Sequence, residues 1–472
     1  MKTLKRKSTT PKITPARLRR MRKRLVAFAE DVFTSMPRTD QRARGETYLR
    51  GLLLDGKRKS IEPMAARLAA ADTDSQGEGV RDLEQALQQF VNQSPWDPVP
   101  VRRRLAERMT AAIRPAAWVV DDTAFPKYGR HSVGVAPQYC GALGKVANCQ
   151  IGVSIHAVTD AASCPIDWRL FLPEEWDDDL ERRRRAHVPD HQRHRLKWQL
   201  ALDMFDELGG WGLTPPVVLA DAAYGEAGEF RLGLERRGLA YVVQVPGTIS
   251  AYPQDVVPEA VAYAGRGRPP VPRYRRPRSS LRALALAAGE RAATTIAWRQ
   301  GADDQPLVSR FVALRVRPAG VTLRRAAHGG ELPLRWLLAE WPEEADEPVK
   351  YWLASLDEDL PVVDLVRLAK LRWRVEHDYR ELKGALGLDH FEGRSWPGWH
   401  HHVTLVSVAH AFVTLERLDP KRLRRSDDLP GCARAAAAAR LLGRRVPPLP
   451  AQTPTIDTVV APISRTNLTE YC

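Results

Sequence analysis

The chain has 472 residues, with 72 lysines and arginines against 57 aspartates and glutamates, a formal net charge of +15. That length predicts several domains rather than one core, and the basic excess suits a polyanion, whose phosphates give a cationic surface salt-sensitive affinity without any base being read. Five cysteines without CxxC spacing exclude a disulfide framework, no run approaches the 18 or so apolar residues of a membrane span, and the basic N-terminus lacks the apolar core of a signal peptide, so a soluble, cytoplasmic protein is expected.

Residues 1 to about 25 read as a basic arm, and Leu25 to Met109 show helical spacing broken by polar loops. Residues 1–112 are therefore expected to form a basic arm and an α-helical DNA-binding domain. Within it, YLRGLLLDGKRKSIEPMAARL joins an apolar helix, a basic turn with Lys57, Arg58 and Lys59, and a second helix. This pattern suits a helix-turn-helix contact with DNA and also any helical hairpin. Residues 113–249 alternate strands (WVVDD, NCQIGVSIHAV, PIDWRLFL), a helix over Leu196 to Leu208, a strand (PVVLAD), a helix over Ala227 to Arg237 and a strand (LAYVVQV). That order predicts an α/β fold with a mixed sheet of the RNase H type, favoured over other α/β folds by carboxylates at the strand ends, where open sheets place their sites. Asp221 and Glu376 are 155 positions apart, more than such a core needs. Residues 250–355 are expected to be a β-rich insertion domain: a Pro- and Arg-rich stretch, then strands at ATTIAWRQ, RFVALRVRPA, LPLRWLLAEWP and KYWLASL. Residues 356–416 return to the core with a long amphipathic helix, and 417–472 read as a basic, alanine-rich helix and tail.

Asp121 and Asp221 end short β-rich runs and Glu376 lies on the amphipathic helix, so strand ends and a helix can bring three carboxylates to one point. Phosphodiester cleavage needs an activated water or 3′-hydroxyl and a stabilised leaving oxygen, which two Mg²⁺ ions about 4 Å apart supply by clamping both. Hard Mg²⁺ takes few carboxylates plus substrate phosphate, with Mn²⁺ as a substitute, so three acids suffice. Neighbouring strand positions point to opposite faces, so only one of Asp121 and Asp122 should reach the metals directly, and the alternation leaves open which. Arg372, Glu376, Tyr379 and Lys383 share one helical face, a carboxylate between two cations that suits a metal ligand flanked by phosphate contacts, although a surface ion-pair ladder has the same spacing. Lys127, Lys145, Gln138 and Asn148 lie where they could line a DNA path, although each taken singly reads as an ordinary loop or strand residue. The acids after Trp176 read as a helix N-terminus, and HVPDHQRH imitates a zinc cluster without its cysteines. His400, His401 and His402 begin the next helix and are open to a DNA or active-site role.

These motifs come in a recognisable order: Asp-Asp-Thr with Phe125, Pro126 and Lys127, then HSVGVAPQYCGALGKVANCQIGVSIH, LPEEWDDD, Asp221 with Tyr224-Gly225, and the glutamate helix. From about Trp118 to Phe412 the chain resembles the DDE transposases of bacterial insertion sequences, and among them insertion-sequence family 701. The resemblance implies an RNase H-like catalytic core with a β-rich insertion, Mg²⁺-dependent cleavage and strand transfer at the terminal inverted repeats of double-stranded DNA, and a homodimer or larger synaptic complex. It implies that Asp121, Asp221 and Glu376 are the catalytic metal ligands, while related groups with the acid directly before the Thr keep Asp122 open. Arg372 and Lys383 match the Arg and Lys of the family's Tyr-Arg-Glu-Lys signature, whose Tyr position holds Ala369 here. In the family the insertion contacts the transposon end, with an aromatic supporting a flipped base; Trp298, Trp336 and Trp341 are candidates, although an aromatic in an alternating strand is commonly core. Two other functions share parts of the pattern: a structure-selective nuclease of the same fold, and a transposase-derived protein that binds DNA without cutting it. The insertion and the motif order argue against the first, and the intact triad against the second.

Overall fold

The computed structural model describes residues 15–71, 79–260, 262–263, 265, 270–301 and 305–419; the C-terminal helix and tail expected after residue 420, with Cys432 and Cys472, lie outside the described residues. Five helices open the described residues: α1 (Pro15–Val32), α2 (Thr39–Leu53), α3 (Ile61–Ala71), α4 (Val80–Asn92) and α5 (Pro98–Ile113). Helix α1 reaches back into the stretch expected as an arm, because Pro15 fits a first helical position and the Arg-, Lys- and Leu-rich residues after it are good helix formers. Helix α5 carries its own signals: Asp97 caps it by accepting from the Val99 N–H at 2.9 Å, Pro98 follows, and Arg114 ends it at φ 50°.

The sheet then builds from β1 (Ala117–Pro126), β2 (Ala136–Cys140), β3 (Lys145–Val158) and β4 (Ser163–Leu170). Three helices follow, α6 (Glu175–Asp178), α7 (Leu180–Arg185) and α8 (Lys197–Gly210). Next come β5 (Val218–Ala220), α9 (Ala222–Gly225), α10 (Gly228–Arg236) and β6 (Tyr241–Val245). Strand β3 lies antiparallel between β1 and β4, while β5 runs parallel to β1 and β6 parallel to β5. The order β4-β3-β1-β5-β6, an antiparallel meander extended by two parallel strands, is the RNase H arrangement. The parallel steps need crossovers, which α8 and α10 supply.

Beyond β6 come β7 (Ser250–Pro253), β8 (Ser279–Ser280), α11 (Leu281–Ala288), β9 (Thr294–Gln300), β10 (Pro306–Pro318), α12 (Val321–Ala326), β11 (Arg335–Glu340) and β12 (Lys350–Ala354). These strands continue the core sheet: β12 pairs antiparallel with β6, and β11, β10, β7 and β8 follow outward in one ladder of twelve strands. The chain closes with α13 (Val362–Lys370), α14 (Trp373–Gly384) and α15 (Trp396–Leu418). One long helix was expected around Glu376; instead the chain breaks at Leu371 and Arg372. The break lets α13 pack on β9 and β6 while α14 packs on β4 and β1.

Helix α15 is buried along most of its length and joins the N-terminal helices to the sheet. Phe28 meets Phe412 with ring centroids 5.7 Å apart, and Arg24 forks onto Glu416 at 2.7 and 2.9 Å. His400, His401 and His402, open to a DNA or active-site role by sequence, are interior. His401 bonds the carbonyls of Val91 and Trp96, both at 2.8 Å, and His402 bonds the Tyr48 hydroxyl at 3.0 Å. Burial lowers the pKa of His400 and of His402 to about 3, leaving both rings neutral. A buried ion cluster ties the helical region to the sheet a second time. Arg102 of α5 pairs with Asp167 of β4, and Arg169 bonds both Asp167 (3.1 Å) and Glu207 of α8 (2.5 Å).

Candidate active site

The β-branched and aromatic residues ahead of Asp121 bury the first half of β1, so the carboxylates emerge where β1 and β5 stop pairing, at Val120 and Ala220. Asp121 is only 8 % exposed. Its Oδ1 accepts the Asp122 N–H at 2.8 Å and its Oδ2 accepts Arg372 Nη1 at 2.5 Å. Burial pushes its carboxyl up to about 7; Arg372 opposes this, and Asp221 and Asp122 add to it. Asp221 caps α9, accepting the N–H groups of Ala223 (3.0 Å) and Tyr224 (3.4 Å). Burial raises its pKa too, against the pull of Arg372. The turn after Asp221 lies so close to β6 that a Cβ at Gly225 would collide with the Gln244 carbonyl oxygen, which gives the Tyr224-Gly225 pair its physical reason.

Glu376 is exposed in the first turn of α14, where the helix dipole favours an anion, and its Oε1 accepts Arg372 Nη2 at 3.3 Å. Arg372 therefore bridges Asp121 and Glu376, from residues 251 positions apart to one turn of helix, and lies within electrostatic reach of Asp221. Asp122 turns to the other face of the strand. Its Oδ2 accepts Lys197 Nζ at 2.9 Å and the Tyr224 hydroxyl at 3.4 Å.

Behind the carboxylates runs a buried polar chain that sequence reasoning missed. Asp378 of α14 accepts Ser163 Oγ at 2.6 Å and bonds His156 Nδ1 at 2.8 Å. His156 Nε2 bonds Ser154 Oγ at 2.9 Å, and Ser154 Oγ meets the Tyr379 hydroxyl at 2.7 Å. Burial works against the Asp378 charge, but the hydrogen bond to His156 and the neighbouring histidines hold its carboxyl below its ordinary range. Ser154 is the cross-strand partner of Asp121, so this chain fixes the helix bearing Glu376 to the strand beside Asp121. The available signal was the alternation Ser154, His156 on one strand face, with Asp378 and Tyr379 on the inner side of the helix.

The expected DNA contacts divide. Lys57 and Arg58 are exposed in the turn between α2 and α3. Lys59 is corrected from a surface contact to an interior residue: it is 2 % exposed, and its Nζ donates to the carbonyls of Leu52 and Leu54, because that turn packs under His390, whose Nδ1 accepts the Lys59 N–H at 2.9 Å. Lys383 is half-buried and donates to the Ala124 carbonyl at 2.8 Å, and Lys127 donates to that of Phe391. Burial lowers the pKa of both amines. Trp298 on β9 is half-buried against the core, with Lys370 Nζ 4.9 Å from its ring centre; Trp341 is buried and Trp336 donates to the Asp357 carbonyl at 3.0 Å.

An all-oxygen donor set of Asp121, Asp221 and Glu376 fits a hard divalent cation. Asp121 and the half-buried Asp221 repel one another, and Arg372 lies within electrostatic reach of both, so the site has acid to spare. Among the described residues no three His, Cys, Asp or Glu side chains already form a metal-holding group, and Arg372 stands as the counter-charge between Asp121 and Glu376.

Comparison with known proteins bears on this site. The probable transposase for insertion sequence element IS701 from Microchaete diplosiphon is 28 % identical over 198 residues, 41 % of this chain; the match spans 46 % of that relative's length. A piggyBac transposase synaptic complex with hairpin DNA gives a loose likeness, with a TM-score of 0.40 at 11 % identity over 90 % of this chain and 77 % of that one. The model of the DDE superfamily endonucleases matches residues 31–305, which include Asp121, Asp122 and Asp221. The chain belongs to the DDE superfamily endonucleases.

Proposed function

We propose that this protein is a DDE transposase that binds the terminal inverted repeats of an insertion sequence and catalyses Mg²⁺-dependent DNA cleavage and strand transfer, acting as a homodimer or larger synaptic complex. The observation that carries this reading is the meeting of Asp121 and Glu376 on Arg372, with Asp221 at the end of the adjoining strand. Asp121, Asp221 and Glu376 would hold the ions, and Asp121 is preferred to Asp122 because Asp122 is engaged by Lys197 and Tyr224. Bound divalent ions would activate a water or 3′-hydroxyl and stabilise the leaving oxygen of the phosphodiester. Arg372 is placed to transfer its charge from the carboxylates to a backbone phosphate, which releases Asp121 for metal binding. The Asp378 to Tyr379 chain holds α14 so that Glu376 keeps its distance from β1.

The test uses purified wild type and Glu376→Gln with an end-labelled duplex carrying the inverted repeat that borders the gene, in Mg²⁺ or EDTA. Mg²⁺-dependent cleavage at the repeat end, reduced on the order of a thousandfold in Glu376→Gln while duplex binding persists, is the expected result. Duplex binding by wild type with no cleavage in Mg²⁺ or Mn²⁺ would replace this reading with a DNA-binding derivative.

A further inference from the structure

Strand β3 outruns its neighbours. It pairs with β1 from Val158 back to Cys149 and with β4 from Val158 back to Gly152, while Lys145 to Cys149 pair with β2 to form a two-stranded ribbon. From Ser154, the partner of Asp121, the turn at Gly144 is ten residues farther along, roughly 33 Å of strand. The ribbon thus projects from the strand pair that carries Asp121, beyond the Pro126 end of β1.

Its surface is unlike an ordinary hairpin. Residues 141–146 are all exposed, and Leu143, Tyr139 and Val146 present 50, 65 and 65 % of their surface to solvent. Beside it the loop from Tyr128 to His131 is exposed, with Tyr128 fully so. That loop is braced: Asn148 Nδ2 donates to the carbonyls of Lys127 (2.9 Å) and Gly129 (2.7 Å), and Arg182 donates to that of Arg130 (2.9 and 3.1 Å). A ring held in water on a braced loop is poised for a flat, polarisable partner. No aspartate or glutamate occurs from Thr123 to Thr159, in a chain with 57 acidic residues, whereas Lys127, Arg130 and Lys145 do.

We propose that this ribbon and the Tyr128–His131 loop form a DNA-docking surface that enters a groove of the duplex whose phosphodiester lies at the carboxylates. The proposal rests on the transposase reading above and adds a contact to it. A two-stranded ribbon fits the major groove, the exposed cations Arg130 and Lys145 match the phosphates, and exposed tyrosines suit sugar and base faces. Gln138 stiffens the ribbon from within, donating to the Cys149 carbonyl at 2.9 Å.

The test measures fluorescence anisotropy of a labelled duplex carrying the bordering inverted repeat, in EDTA and over a range of salt, with full-length wild type, the double variant Tyr128→Ala/Tyr139→Ala, and Lys145→Glu. All three side chains are exposed, so unfolding midpoints stay unchanged. The expected result is a Kd raised about tenfold by the double variant, and a shallower salt dependence for Lys145→Glu by about one phosphate contact. Variants that bind the duplex as wild type does overturn the proposal while leaving the transposase reading intact. Wild type that binds no duplex sinks both. Duplex binding unchanged together with a dimer-to-monomer shift in sedimentation assigns the ribbon to a second copy of the chain, and overturns the proposal as well.

Discussion

Two ionic clusters sit on the same sheet and obey opposite rules. Around Asp167, two carboxylates (with Glu207) face two guanidiniums, Arg102 and Arg169, and every charge has a partner. Around Asp121 the acids outnumber the cations: Asp121, Asp221 and Glu376 share Arg372, and Asp122 has Lys197. A balanced buried cluster is a fastening, and an unbalanced one is a site waiting for positive charge. The surplus is visible without any ligand, because burial pushes the Asp121 carboxyl up to about 7, Asp221 and Asp122 add to this, and Arg372 does not bring it back.

The contrast can be broken most directly by neutralising one acid in each cluster. Asp167→Asn leaves Arg102 and Arg169 with Glu207 as their one remaining carboxylate and should cost about 3–5 kcal/mol of stability in urea unfolding, whereas Asp121→Asn removes surplus charge and should cost none. Equal losses would erase the distinction. A smaller effect is expected one step behind the site. Asp378→Asn keeps the shape of the side chain but weakens its hold on His156, so direct Mn²⁺ binding measured by electron paramagnetic resonance should weaken about 10- to 100-fold, with the unfolding midpoint little changed. Unaltered Mn²⁺ binding would reduce that buried chain to packing.

The smallest effect sharpens the comparison from neutral groups. His400 and His402 are lowered from their ordinary value of 6.5 to about 3, so the unfolded chain takes up protons that the folded chain refuses. Their contribution is fully present above about pH 6.5 and is lost as the pH falls toward 3. At pH 5 each should cost about 2 kcal/mol relative to pH 7.5. Replacing His402 with Gln should flatten that part of the urea-stability profile; an unchanged profile would locate the acid sensitivity elsewhere.

Much of this was legible in the sequence because its signals are local. The strands of the mixed sheet announce themselves by β-branched runs and Asp221 by ending one, whereas Asp121, expected at a strand end, lies within β1 because pairing with β3 carries that strand on to Pro126. What sequence did not disclose depends on partners far away in the chain. Lys59 stands in a basic triplet that reads as surface, yet the turn is pressed against His390 and only its neighbours stay outside. The break before Trp373 is invisible in an apolar period that runs on through it, since the cause is a change of packing partner from β9 and β6 to β4 and β1. Ser154 and His156 look like ordinary strand positions until Asp378 and Tyr379 arrive from more than two hundred residues away.

The ladder between β6 and β12 has a mechanical consequence. Tyr351 to Ala354 are zipped to Val245 to Val242 strand against strand, so β12 and the strands beyond it are welded to the core sheet as one plank. It cannot swing as a flap without unzipping that seam, and the same seam sets the reach of α13 and α14. Any opening beside this seam must therefore come from side chains or from the helical region, with the joined strands as the fixed side.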